Sequence, residues 1–98
     1  MVELNKVNEV AEKAALAAFK GIGVTRVQSS PTVDSDGHEA LIVTIVLQRG
    51  FGGEVTGDAA LNAMVRIGRD LHNFGEERFP IIEFVTEEEL DDSGDSEF

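Results

Sequence analysis

The stretch Glu39-Ala40-Leu41-Ile42-Val43-Thr44-Ile45-Val46-Leu47-Gln48 decides how this chain folds. Side chains alternate across a strand. Leu41, Val43, Ile45 and Leu47 therefore share one face, and Ala40, Ile42, Thr44 and Val46 share the other. A strand that is apolar on both sides belongs in the middle of a sheet and needs cover on both sides. The flanking sequence sets how much of that cover the chain can supply itself.

Immediately upstream, Val33-Asp34-Ser35-Asp36-Gly37-His38 has turn composition, with Asp-Gly supplying the positive-φ position of a hairpin. The partner strand is Val24 to Ser29, ended by Pro31. Before it, Leu4, Val7, Ala11, Ala14 and Ala18 recur at three- and four-residue steps, which predicts an amphipathic helix over roughly 4–20. Its many alanines imply close approach to whatever it packs upon. Downstream, a glycine-rich loop leads to a second helix, with Thr56 or Asp58 as N-cap and Gly75 as the C-terminal stop. Ala60, Met64, Ile67 and Leu71 form its expected buried stripe. A last strand, Ile81 to Thr86, follows Pro80.

The order αββαβ predicts an α+β two-layer sandwich. Two strands form an antiparallel hairpin, and a right-handed crossover makes the third parallel to the second. Both helices then lie on one face of a three-stranded mixed sheet. Residues 1–86 make a single domain, and 87–98 are expected to be a disordered acidic tail. In element order this architecture resembles the cytoplasmic domain of cation-diffusion-facilitator transporters and the type II KH module; the resemblance implies architecture alone.

The 98 residues carry a net charge of −11, from 8 basic and 19 acidic side chains. Seven of the acids fall in the tail, so the preceding residues hold 12 acids against 8 bases. Without clustered Lys and Arg, neither a nucleic-acid backbone nor an anionic membrane is an expected partner. The absence of cysteine excludes thiolate metal sites and thiol nucleophiles. The start has no basic stretch followed by an apolar run, and a cytoplasmic location is the expectation.

Few residues suggest chemistry. Asp34, Asp36, His38 and Glu39 place oxygen and nitrogen ligands around a glycine, as at the start of a calcium loop, and could together hold a divalent cation weakly. The Glu that closes an EF-hand loop is missing, since Val43 stands at that position. Arg49-Gly50-Phe51-Gly52 matches the first residues of the RNP1 motif of RNA-recognition modules, but Gly53 and Glu54 then replace its aromatic pattern. His72 sits at a helix end, where its charge suits the dipole. No serine lies in a nucleophile-elbow pattern. No catalytic site is expected, and no motif implies a cofactor.

Glu83 interrupts the last strand, placing Ile82 and Phe84 on one face and Ile81, Glu83 and Val85 on the other. It must be hydrated or paired there, with Arg26 or Arg78 as candidate partners. The two-sided strand and this second face suggest a non-enzymatic interaction module. Its surface would be Ile42, Thr44, Val46, Glu83 and Val85, and its partner a second copy or another protein. The alternatives are a divalent-metal-responsive loop, or an acidic regulator that engages a basic partner through Glu87, Glu88, Glu89, Asp91 and Asp92. On the assigned core faces, Ile45→Ala or Leu71→Ala each costs about 2–5 kcal/mol in thermal or urea melts, and truncation after Thr86 is expected to be nearly neutral.

Overall fold

A computed structural model describes residues 3–19, 23–50 and 57–90. The elements are α1 (Leu4–Ala18), β1 (Val24–Val33), β2 (Glu39–Leu47), α2 (Gly57–Asn73) and β3 (Phe79–Thr86). The sheet order is β1-β2-β3, with β1–β2 antiparallel and β2–β3 parallel. The two-sided strand is therefore central, and both helices cover the face that carries Leu41, Val43, Ile45 and Leu47. Those four residues are buried together with Val7, Ala11, Ala14 and Ala15 of α1 and Ala63, Ile67 and Leu71 of α2. Ile82 and Phe84 of β3 pack against the same core. The Phe84 ring meets Phe19 edge-on, with centroids 6.0 Å apart, an orientation favoured by ring quadrupoles.

Several local expectations shift. The stripe of α2 runs Ala59, Ala63, Ile67 and Leu71, while Met64 and Leu61 are exposed. Either set satisfies helical periodicity. The smaller side chains are the ones turned inward, where the alanines of α1 leave room only for a close neighbour. β1 runs through Pro31 to Val33, which is tolerable because β1 is an edge strand and proline's missing N–H need not face a partner. A register shift at Val24/Arg26 marks an irregularity near the start of the strand. Pro80 likewise lies inside β3, the other edge strand, which begins at Phe79.

The end of α2 agrees with expectation. Gly75 has φ 106°. Its N–H donates to the His72 carbonyl at 3.0 Å, and the Glu76 N–H donates to the Leu71 carbonyl at 3.0 Å, closing a Schellman turn. The N-terminal end of α2 is described only from Gly57, so Thr56 lies outside the described residues, as does the stretch 51–56. Asp58 occupies the first turn of α2.

Residues 87–90 form a helical turn, so the folded chain continues past the boundary expected at Thr86. Its start is a capping box. The Thr86 N–H donates to Glu89 Oε1 at 2.8 Å, and the Glu89 N–H donates to Thr86 Oγ1 at 3.2 Å. Glu87 Oε2 accepts from the Thr25 hydroxyl at 2.9 Å and lies 3.4 Å from Arg26 Nη1. Glu88 Oε1 accepts the Gly50 N–H at 2.9 Å. The turn thus ties the end of β3 to β1 and to the start of the loop after β2. The remainder of the expected tail, including Asp91 and Asp92, lies outside the described residues.

Truncation after Thr86 should consequently not be neutral. Truncation removes the bonds of Glu87 to Thr25 and of Glu88 to Gly50, each contributing about 0.5–1.5 kcal/mol, read as a lower urea midpoint than that of the full chain. An unchanged midpoint would show that the turn at 87–90 adds nothing to stability.

Candidate functional site

The face of the sheet away from the helices follows from the strand register. Paired residues point the same way, so the rows are Arg26, Gln28, Ser30 and Thr32 on β1; Ala40, Ile42, Thr44 and Val46 on β2; and Phe79, Ile81, Glu83 and Val85 on β3. All five residues expected on an interaction surface (Ile42, Thr44, Val46, Glu83 and Val85) are therefore on one face. They are not equally accessible. Val46 is fully buried, bordered by Arg26 and Val85 and crossed by the Glu87–Arg26 link. Ala40 is also fully buried, whereas Ile42 and Thr44 are half-buried. The chain closes the Val46 end of this face and leaves the remainder open.

Two further apolar residues complete the open part. Phe79 is 67% exposed and Ile81 is 40% exposed, flanking Ala40 and Ile42 in register. Phe79 was missed because Pro80 reads as the start of the strand, yet the alternation Phe79, Ile81, Glu83, Val85 was visible at period two. The face is graded, with polar residues along β1 and apolar ones along β2 and β3. Glu83 is exposed, and its Oε1 accepts from the Thr44 hydroxyl at 3.1 Å. Its anticipated partners are engaged elsewhere: Arg26 lies beside Glu87, and Arg78 binds Glu76. Hydration, with help from Thr44, is what accommodates the charge.

At the hairpin tip, ligand atoms of Asp34, Asp36 and His38 lie within 4.8 Å of one another. Glu39 does not join this group; as the first residue of β2 it turns toward the cleft beside Arg78. Asp34 has a structural task of its own. Its Oδ1 accepts the N–H groups of Asp36 and His38, each at 2.9 Å, and its Oδ2 lies 3.6 Å from His38 Nδ1. These bonds, with Gly37 at φ 87°, hold the turn. Of the glycine-rich loop, Phe51, Gly52, Gly53 and Glu54 lie outside the described residues. The Gly50 amide already holds the Glu88 carboxylate. His72 is exposed at the end of α2, with no carboxylate partner among the described residues.

The sequence reading also missed a buried ion pair at the corner between α2 and β3. Glu76 is only 3% exposed. Its Oε2 accepts from the Arg78 backbone N–H at 2.7 Å and from Nε at 2.9 Å, while Oε1 accepts from Nη2 at 2.9 Å. This is a forked carboxylate–guanidinium pair closed by main chain. It forms the floor of an open cleft of about 400 Å3 bordered by Glu39 and Glu77. The Arg78 hydrogen bonds hold the Glu76 carboxyl below its ordinary value of 4.5, with burial opposing them, and the Arg78 pKa is raised by the same bonds. Both polar ends of the pair are engaged, which suits a structural brace rather than an acid–base group.

The chain matches no protein-family model, no curated protein and no solved structure.

The brace makes stability depend on pH. Because the folded pKa of Glu76 is depressed, its contribution is present above about 4.5 and is lost as pH falls through the lowered folded value. Urea midpoints at pH 7 and pH 3 should therefore show Glu76→Gln less stable than the parent at pH 7, with the difference narrowing at pH 3. Arg78→Ala, which strands a buried carboxylate, should cost about 3–5 kcal/mol at pH 7. A constant gap between the parent and Glu76→Gln across that range would contradict the assignment.

Proposed function

We propose that this protein is a non-enzymatic interaction module that self-associates through the open part of its sheet face. The observation that carries the reading is the exposure of Phe79 and Ile81 beside half-buried Ile42 on a face that neither helix covers. Contiguous apolar surface of this kind marks association sites.

A second copy suits this face because its rows are segregated. A two-fold axis across the strands near Ile81 sets β3 against β3 and leaves the polar β1 rows at the rim. Such an isologous contact matches apolar rows with apolar rows. Glu83 is the one ionisable residue in the two apolar rows. Lying two positions from Ile81, it would face its copy at roughly 13 Å, given a strand rise of about 3.3 Å per residue.

The hairpin tip has less support as a cation site, since Asp34 is committed to the turn and Glu39 stands apart. The tail has less support as a recognition segment, since Glu87, Glu88 and Glu89 each bind their own fold.

Light scattering over a dilution series should show a mass rising from 10.6 kDa towards twice that value. Association should strengthen with salt, because screening reduces repulsion between two chains of charge −11. Ile81→Glu should hold the protein monomeric with its melting transition retained. A strict monomer at high protein and salt concentration would exclude self-association.

A further inference from the structure

On the opposite side of the molecule, the C-terminal end of α1 and the stretch of α2 from Leu61 to Arg69 border a groove of about 450 Å3. Its walls include Ala17, Ala18, Leu61, Val65, Arg66 and Arg69. Leu61 and Val65 are about three-fifths exposed. Among the described residues, the charged ones lining the groove, Arg66 and Arg69, are both basic, in a chain of net charge −11. Among the described residues Arg66 has no ion-pair partner, and Arg69 has only its neighbour Asp70 at 3.7 Å.

We propose that this groove is the docking site of the chain's own acidic segment 91–98, Asp91-Asp92-Ser93-Gly94-Asp95-Ser96-Glu97-Phe98. Charge supports the match: Asp91, Asp92, Asp95 and Glu97 carry the sign that Arg66 and Arg69 attract, and Phe98 offers an apolar side chain to Leu61 and Val65. Position supports it as well. Thr86 pairs with Leu47, and Leu47 pairs with Val24, which follows the end of α1. Glu88 holds Gly50, shortly before α2 begins. Leu90, the end of α1 and the start of α2 therefore share one end of the molecule. Eight extended residues reach about 26 Å, more than the 23 Å thickness of the fold.

Docking of this kind covers Leu61 and Val65 and neutralises the basic groove, and salt releases it because the ion pairs are at the surface. It occupies the helix layer and leaves the open sheet face free.

The chain lacks cysteine, so Ser96→Cys gives a single attachment point for a nitroxide on the full-length protein. Amide NMR signals of Leu61, Val65 and Arg69 should lose most of their intensity, while those of Gln28 and Ser30 on the opposite face keep theirs. High salt, or the double substitution Arg66→Glu with Arg69→Glu, should restore the groove signals. Full intensity at the groove, equal loss on both faces, or loss that survives charge reversal would overturn the proposal. Mixing nitroxide-bearing protein of natural isotope abundance with 15N-labelled parent protein, which has no cysteine and carries no nitroxide, separates the two routes. Broadening in that mixture equal to that within one chain would mean that the tail docks on another copy, which overturns docking within the chain.

Discussion

Everything in this fold is arranged around one strand that must be kept from water on two sides. β2 supplies Leu41, Val43, Ile45 and Leu47 to the helix side and Ala40, Ile42, Thr44 and Val46 to the other. Two helices in a two-layer fold can cover one side only. They do so closely, because Ala11, Ala14 and Ala15 of α1 and Ala63 of α2 keep the helix layer thin over the sheet. The second side is sheltered by lesser means. Neighbouring strands shield Val46 at one end and Ala40 at the other, and the turn at 87–90 adds a link across the Val46 end. The rest has no such shelter, and there Phe79, Ile81 and Ile42, in two adjacent registers, meet solvent.

Charge placement follows the same division. The acids immediately after β3 do not simply leave the fold. Glu87 faces a hydroxyl and a guanidinium, Glu88 takes a loop amide, and Glu89 caps its own turn. Exposed ion pairs contribute little individually, but hydrogen bonds from carboxylates to main-chain N–H groups satisfy donors that a helix start and a loop would otherwise leave to water. The start of the acidic run, Glu87 to Glu89, is therefore architecture as well as charge.

Most of the architecture was legible because it rests on period and punctuation. The 3.6-residue stripe of α1, the two-residue alternation of β2, and Gly37 and Gly75 at positive φ each had a direct sequence signature. Register places Ile42, Thr44, Val46, Glu83 and Val85 on one face once the sheet order is known, but the burial of Val46 there had no sequence signature. What escaped has identifiable causes. The choice of Ala63 over Met64 depends on the space beneath α1, which periodicity does not report. Proline read as a stop at Pro31 and as a start at Pro80, although an edge strand accommodates both. The pattern Thr86-Glu87-Glu88-Glu89 is a capping box in plain sequence, obscured by the acidic composition around it.

The Glu76–Arg78 pair had no such signature, because residues two apart in a connection face each other only when the main chain turns between them. Its position explains why it is charged. The Schellman turn at Gly75 ends α2, and β3 must start within a few residues, parallel to β2 and on the far side of it from β1. An apolar pair at this corner would bury area without fixing direction. A carboxylate that binds both the guanidinium and the main-chain N–H of Arg78 accepts one conformation of the connection. That conformation sets the register at Phe79, and a one-residue slip would turn Phe79, Ile81 and Val85 towards the helices and Ile82 and Phe84 out of the core. The brace thus determines which β3 side chains are left on the open face.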